Sequence, residues 1–387
     1  MPLPPGLRPI TTWGMSTPRQ PPETTATPGA HSVIRGRGRP RILTGDQATG
    51  RLHLGHFVGS IEARLALQQT HDCFFIIANM HAFTTLYEQP EVVRQNVLGI
   101  TTDYLAAGID PSLATMFVQS EVPAIAEMTW YFAMLLSFSR LMRNPTLKDE
   151  IAIKGLEETK SFGFVMYPVG QIADILAFRP VAVPVGEDQA PHIEMTREVA
   201  RRFNVLYCGV DPQAGDEAHA AKGVFPIPEV RVGRVARLPG IDGKAKMSKS
   251  LGNAIYLSDD TRTVEKKCNH VFTGRMNPTD PGVIEGNPLW TYHDAFNPDK
   301  AEVADMKERY RAGKIGDGEC KKRLAQVINA LLEPMRVRRR EFEAHPEKVM
   351  QVLRDGTARA NAVAEETLWL AKKAMKIDFF PRELHLK

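Results

Sequence analysis

Three short, uninterrupted apolar runs constrain this chain more than any other feature: Cys73-Phe-Phe-Ile-Ile-Ala, Ala114-Thr-Met-Phe-Val-Gln and Val181-Ala-Val-Pro-Val. Runs of this kind are strands buried on both faces. Between them lie stretches of helical length, from Pro90 to Ala107 before Gly108, and from Gln189 to Phe203. Strands that alternate with helices build a doubly wound parallel sheet of the α/β class, because a parallel neighbour is reached only through a crossover. Two further helices are expected at 123–140 and 148–163, within a helical insertion of about 121–165. The first carries Trp130, Tyr131, Phe132, Met134, Leu135, Leu136 and Phe138, so it is expected in a core or a subunit interface. Beyond about Asp259 the strand pattern stops, and Pro/Gly-rich joints near Asn277–Pro288 interrupt an otherwise helical reading. The expected domains are therefore 41–260 and a helical 261–387, with the boundary at about 258–262.

The first strand of the sheet is read from Ile42-Leu43, which ends in a glycine-rich turn at Gly45 and Gly50. Leu54, Val58, Ile61 and Leu65 then recur at helical spacing. His53 and His56 fall in the first turn of that helix, where unpaired backbone N–H groups and the macrodipole favour an anion. Gly55, lacking a Cβ, lets a flat group approach the backbone. A strand–turn–helix joint of this kind is also a common structural joint, so alone it leaves nucleotide binding open.

Charge divides unevenly. Residues 1–42 hold six Arg against one acid, and 301–387 hold nineteen Lys and Arg against fourteen acids, so with a total of +4 the middle stands at −6. A basic end beside an acidic body suits a bound polyanion, and equally a solvated helical surface. The scattered Cys73, Cys208, Cys268 and Cys320 form no metal-type spacing, so no protein-held metal is expected and a reducing compartment fits. No apolar run is long enough to span a bilayer. Residues 1–40 are Pro-, Thr- and Arg-rich and expected to be disordered. Their prolines spoil the amphipathic helix of a transit peptide, and Met15 is an alternative start.

A second feature lies far away. Lys246-Met-Ser-Lys-Ser sits in a Gly- and Lys-rich loop just before Leu251-Gly252-Asn253. Alone, such a loop is a solvated charge cluster. Paired with His53-Leu-Gly-His56 on one α/β domain, it resembles the two signatures of class I aminoacyl-tRNA synthetases. Within that class the chain is similar to the tryptophan enzymes from about residue 41 onward. The similarity rests on Thr44-Gly-Asp-Gln-Ala-Thr-Gly, Val118-Gln-Ser-Glu-Val-Pro, Tyr167-Pro-Val-Gly-Gln-Ile-Ala-Asp-Ile-Leu and Val183-Pro-Val-Gly-Glu-Asp-Gln-Ala-Pro-His-Ile-Glu-Met-Thr-Arg. Asn79 stands where the family often has Asp, and the Arg140–Lys148 stretch departs from its usual forms. That leaves open whether Lys148 or Lys154 reaches the triphosphate.

The resemblance implies a Rossmann-like catalytic domain and a C-terminal domain that binds the tRNA anticodon. It implies ATP with Mg²⁺, L-tryptophan, tRNA(Trp), a homodimer and a cytoplasmic enzyme. His53, His56, Lys246 and Lys249 would serve the transition state. ATP contacts would fall to Gly45, Gln47, Gly55, His56, Gly186, Glu187, Asp188, Leu238 and Met247. Asp174 would accept the indole N–H, Tyr167, Gln171 and Gln189 would hold the α-amino group, and His81 the carboxylate side. Lys321-Lys-Arg and Arg336-Val-Arg-Arg-Arg would cradle the anticodon arm. A tyrosine enzyme of the same class is one rival reading. A regulatory paralogue with a protein partner on the N-terminal extension is another.

Overall fold

A short hairpin opens the described chain: β1 (Arg35–Gly36) pairs antiparallel with the start of β2 (Arg39–Gln47), ahead of the start expected at residue 41. This computed structural model describes residues 35–36, 38–156, 158, 160–186, 189–232, 238–249, 251–277, 280–380 and 382. The expectations for residues 1–34 and for Glu187, Asp188 and Ser250 lie outside the described residues. Four more strands follow: β3 (Asp72–Ala78), β4 (Ala114–Val118), β5 (Ala182–Val185) and β6 (Glu229–Val232). Their spatial order is β4-β3-β2-β5-β6, with every pair parallel. Numbered as parallel strands alone, this is the 3-2-1-4-5 order of a doubly wound sheet.

The apolar runs became strands because both their faces are covered. Along β3, Cys73, Phe75 and Ile77 join one core while Phe74 and Ile76 join the other, the period of two that a pleat demands. The Pro90–Ala107 helix ends on Gly108 at φ +111°, whose N–H reaches the Tyr104 and Leu105 carbonyls. The helix expected from Gln189 spans Ala190–Cys208, running past Phe203 until Gly209 adopts φ +67°. The C-terminal helix Pro346–Ala374 lies along β4 and covers that sheet edge. Its Gly356 comes so close that a Cβ there would stand 1.8 Å from the Met116 carbonyl oxygen.

Three local expectations are corrected. Gly45 is no turn residue: it lies inside β2, pairs with Ile76, and a Cβ on it would stand 2.0 Å from the Ile76 oxygen. The single helix expected at 123–140 is broken into Pro123–Ala133 and Phe138–Met142, because Ser137 caps the second by accepting the Arg140 N–H. Of the two places expected for its apolar side chains, Trp130, Met134 and Phe138 are not in the core, being 60–68% exposed, which leaves the interface for those three. The helix expected at 148–163 is likewise two, Pro145–Ile153 and Phe162–Leu176, each capped by its own Asn144 or Ser161.

Candidate active site

Between β2 and β5 the strand order reverses, which opens a crevice at the carboxyl ends of the parallel strands. Gln47 ends β2 on the exposed rim, Gly186 follows β5, and the Thr44 hydroxyl donates to the Pro184 oxygen at 2.6 Å, holding the two strand ends together.

Beyond Gln47 the chain turns through Gly50 at φ +136° and enters the helix Leu54–His56, which continues through a π-turn, Phe57–Ile61, into Glu62–Leu67. His53 is the residue that precedes this helix. Its backbone N–H donates to His56 Nδ1 at 3.1 Å. An N–H can only donate, so Nδ1 carries the lone pair and the His56 proton sits on Nε2. Burial, then His56 and Lys249, push the His53 imidazole down to about 2. Burial likewise pushes His56 down to about 4, against the pull of Asp46. Both rings are therefore neutral at pH 7, hydrogen-bond donors rather than cations.

The lysine loop closes on this helix start. Lys249 Nζ donates to the Gly50 oxygen at 2.9 Å and stands 3.5 Å from Thr49 Oγ1. Met247 is buried, and its Cβ would lie 3.8 Å from a Cβ on Gly55. Leu238, also buried, accepts the Met247 N–H, while Lys246 lies on the exposed side of the loop. Just beyond the loop, residues 255–257 pair with 52–54: the Leu54 N–H donates to Ile255 and the Leu257 N–H to Leu52. The imidazole-bearing and ammonium-bearing stretches, about 200 residues apart, thus form one wall of the crevice.

Two acids support that wall, the half-buried Asp46 and the buried Asp103, and neither stands out in the sequence. Asp46 accepts from Arg64 at 2.8 Å and from the Tyr104 hydroxyl at 2.5 Å. Burial alone would raise the Asp46 carboxyl, yet Arg64, His56 and Tyr104 hold it well below the usual range. Asp103 accepts the Leu52 N–H at 3.1 Å and is paired with Arg339. Burial nevertheless raises its carboxyl to about 6. Together Asp46 and Asp103 oppose the loss of charge that burial imposes on the Lys249 ammonium.

Across the crevice, Tyr167, Gln171 and Asp174 share one face of the Phe162–Leu176 helix, at the four- and three-residue spacing of a helical row. Asp174 is buried, and burial lifts its carboxyl to about 7 against one opposing hydrogen bond. That bond comes from Gln119, at the end of β4, whose Nε2 donates to both carboxyl oxygens at 2.8 and 2.9 Å. Gln119 Oε1 accepts the Met80 and His81 N–H groups, so its amide is fixed at both ends. His81 Nε2 stands 3.4 Å from Asp174 and faces Gly170, where a Cβ would crowd it at 3.1 Å. Burial, then His192, holds His81 neutral at about 4. The Tyr167 hydroxyl meets His192 Nε2 at 3.2 Å, and Gln171 donates to Gln189 at 3.4 Å. Asn79 donates to Ser120 Oγ and accepts the Ser120 N–H, a reciprocal pair that uses both ends of its amide. A carboxylate at that position would offer acceptors only.

The remaining cations divide by their partners. Lys154 pairs with Glu150 at 3.6 Å and lies 5.0 Å from the Phe164 ring, while Lys148 is exposed. Of Arg336-Val-Arg-Arg-Arg, expected to cradle the anticodon arm, three arginines are engaged within the fold. Arg336 is buried and donates to the Asp259 oxygen and Asn329, Arg338 donates to the Ala106 oxygen, and Arg339 holds Asp103. Arg338 and Arg339 dock the Asp317–Ala344 helix against the Pro90–Ala107 helix and Arg336 ties it to the Asp259 backbone, leaving Arg340 as the exposed arginine. Arg323 is likewise engaged by Glu302, and Lys321 donates to the Asn269 oxygen.

Residues 35–333 match the model of the class I tRNA synthetases (W and Y). The chain is 48% identical over 349 residues to the tryptophan–tRNA ligase of Treponema pallidum, covering 88% of this chain and 98% of that protein. It is 43% identical over 351 residues to that of Streptococcus mutans, covering 88% and 99%. Among solved structures, Campylobacter jejuni tryptophanyl-tRNA synthetase complexed with ADP and tryptophan superposes with a TM-score of 0.74 at 31% identity, covering 87% of this chain and 99% of that one.

Proposed function

The chain belongs to the class I tRNA synthetases of the tryptophan and tyrosine type, and from that premise we propose that it activates L-tryptophan with ATP and esterifies it to tRNA(Trp). The tryptophan carboxylate attacks the α-phosphorus, the bond to the β-phosphate oxygen breaks, and pyrophosphate leaves. A terminal ribose hydroxyl of the tRNA then attacks the acyl carbon, the acyl–phosphate bond breaks, and AMP leaves as the hydroxyl proton passes to its phosphate, forming the ester. An ionised carboxylate needs no general base, so the first step calls for alignment and for positive charge where the phosphorus gathers oxygens. His56 Nε2–H and the His53 ring are read as neutral donors to phosphate oxygens. The ammonium groups of Lys246 and Lys249 are read as the charge that meets the departing pyrophosphate.

The adenosine is assigned to Gly45, Gln47, Gly55, Gly186, Glu187, Asp188, Leu238 and Met247 around the β2–β5 crevice. The indole N–H is assigned to Asp174, the α-amino group to Tyr167, Gln171 and Gln189, and the carboxylate end to His81. Mg²⁺ would enter with ATP, held mainly by the triphosphate oxygens, and would supply charge that offsets theirs. Residues 41–260 would then be the catalytic domain and 261–387 the anticodon-binding one, in a cytoplasmic enzyme. Among the described residues no helix is long and apolar enough to cross a membrane. The exposed Trp130, Met134 and Phe138 fit the interface of a homodimer. The Arg-rich extension is a candidate surface for a protein partner on its charge alone.

The observation that carries this reading is Lys249 seated on the Gly50 turn beside the two histidines. Its test is single-turnover adenylate formation by Lys249→Ala. A loss of about 100-fold or more in rate with unchanged tryptophan affinity is expected for a group used in the transition state. Equal losses in rate and tryptophan affinity would contradict it.

A further inference from the structure

The lysine loop is rooted in residues that follow it by some 20 to 50 positions. Tyr292 lies in the helix Pro288–Phe296, fully buried, and its hydroxyl donates to the Pro239 oxygen at 2.6 Å. Pro239 is the antiparallel bridge partner of Lys246, and the next rung has the Met247 N–H on the Leu238 oxygen at 3.0 Å. A second tie runs from the Phe272 N–H to the Ile241 oxygen at 2.8 Å, and the Ile241 N–H in turn donates to Asn253. Asn253 closes the loop on itself, its amide reaching Asp242 and the Lys246 oxygen while its carbonyl takes the Ser248 N–H. The turn just after the two ties, Gly243 at φ +68°, is pressed against Phe272, where a Cβ would stand 2.8 Å from the ring. The base of the loop is therefore a hydrogen-bonded ring anchored from behind, its rungs carry Lys246 and Met247, and Lys249 stands just beyond them.

We propose that Tyr292 is a positioning residue for adenylation: by fixing the Pro239 carbonyl it fixes the strand rung that carries Lys246, and with it the place where the loop's ammonium groups meet the triphosphate. A buried hydroxyl must spend its hydrogen bond somewhere. Spending it on the backbone opposite Lys246 converts packing in the helical region into geometry in the crevice. The proposal rests on the adenylation reading.

Tyr292→Phe removes the hydroxyl and keeps the ring. In tryptophan-dependent exchange of pyrophosphate into ATP by the full chain, kcat is expected to fall about 3- to 10-fold, the scale of one neutral hydrogen bond. Tryptophan affinity, measured by equilibrium dialysis, should stay unchanged. Amide deuterium exchange should quicken in 238–253 and not in β2–β5. A kcat within twofold of the parent, an equal loss of tryptophan affinity, or faster exchange throughout the sheet would each overturn the proposal. A parent chain that shows no exchange at all would instead overturn the adenylation reading, and this inference with it.

Discussion

Burial and one amide decide how Asp174 behaves. With its carboxyl lifted to about 7, the free site is a mixture of ionised and protonated forms at neutral pH. An indole N–H is best held by the ionised form, so a bound ligand favours loss of that proton. The sign follows: with Asp174 as the indole acceptor, tryptophan affinity is expected to be flat above about pH 7.5 and to fall below it, by up to about tenfold per pH unit. His81, neutral down to about 4, adds nothing to that slope above pH 5. Dialysis between pH 5.5 and 8.5 checks it, and Asp174→Asn should bind more weakly and lose the slope. A parent curve that is flat across this range would remove Asp174 from the pocket. Asp174 stood out in the sequence as an acid within Ile172-Ala-Asp-Ile-Leu-Ala-Phe. Gln119, which holds it, did not, because a polar residue at a strand end looks the same whether it meets solvent or a carboxyl 55 residues away.

At the scale of elements, the sheet was legible and its joints were less so. Continuous apolar runs mark strands covered on both faces, and β3, β4 and β5 fall on those runs. Glycine misled at position 45, because chain punctuation and close backbone approach give the same letter. Here it is the approach that counts, with the Ile76 carbonyl filling the space of a side chain. Gly45→Ala is therefore expected to cost about 3 kcal/mol or more, since the obstructing atom belongs to a paired strand that cannot turn aside. Gly59→Ala, where a Cβ would meet nothing, serves as the control and should shift the urea midpoint little. Equal midpoints for the two variants would refute this account of β2. The helix starts at Ser137 and Ser161 are not legible, since apolar periodicity runs straight through them and only the folded chain shows each hydroxyl accepting a helix N–H.

Across the whole molecule, basic residues near the C-terminus hold its parts together. Arg339 reaches back 236 positions to Asp103, which in turn holds the backbone just ahead of His53. Removing it with Arg339→Ala leaves a buried acid unpaired, at an expected cost of about 3–5 kcal/mol in unfolding. Arg340→Ala should change stability by less than about 0.5 kcal/mol. It should instead weaken tRNA binding and reduce its salt dependence, as an exposed phosphate contact does. Chemical denaturation and filter binding at several salt concentrations separate the two roles, and a stable Arg339→Ala would show the pair to be incidental. Charge counted along the sequence could not make this division, because a guanidinium docked on a carboxylate and one facing solvent contribute the same formal charge. The central claim is that the crevice joins ATP to tryptophan. Its most direct measurement is exchange of labelled pyrophosphate into ATP by the intact chain, with tryptophan and tyrosine supplied side by side. A site built on the Asp174 acceptor should respond to tryptophan and ignore tyrosine by orders of magnitude; exchange that favours tyrosine, or needs neither amino acid, would contradict it.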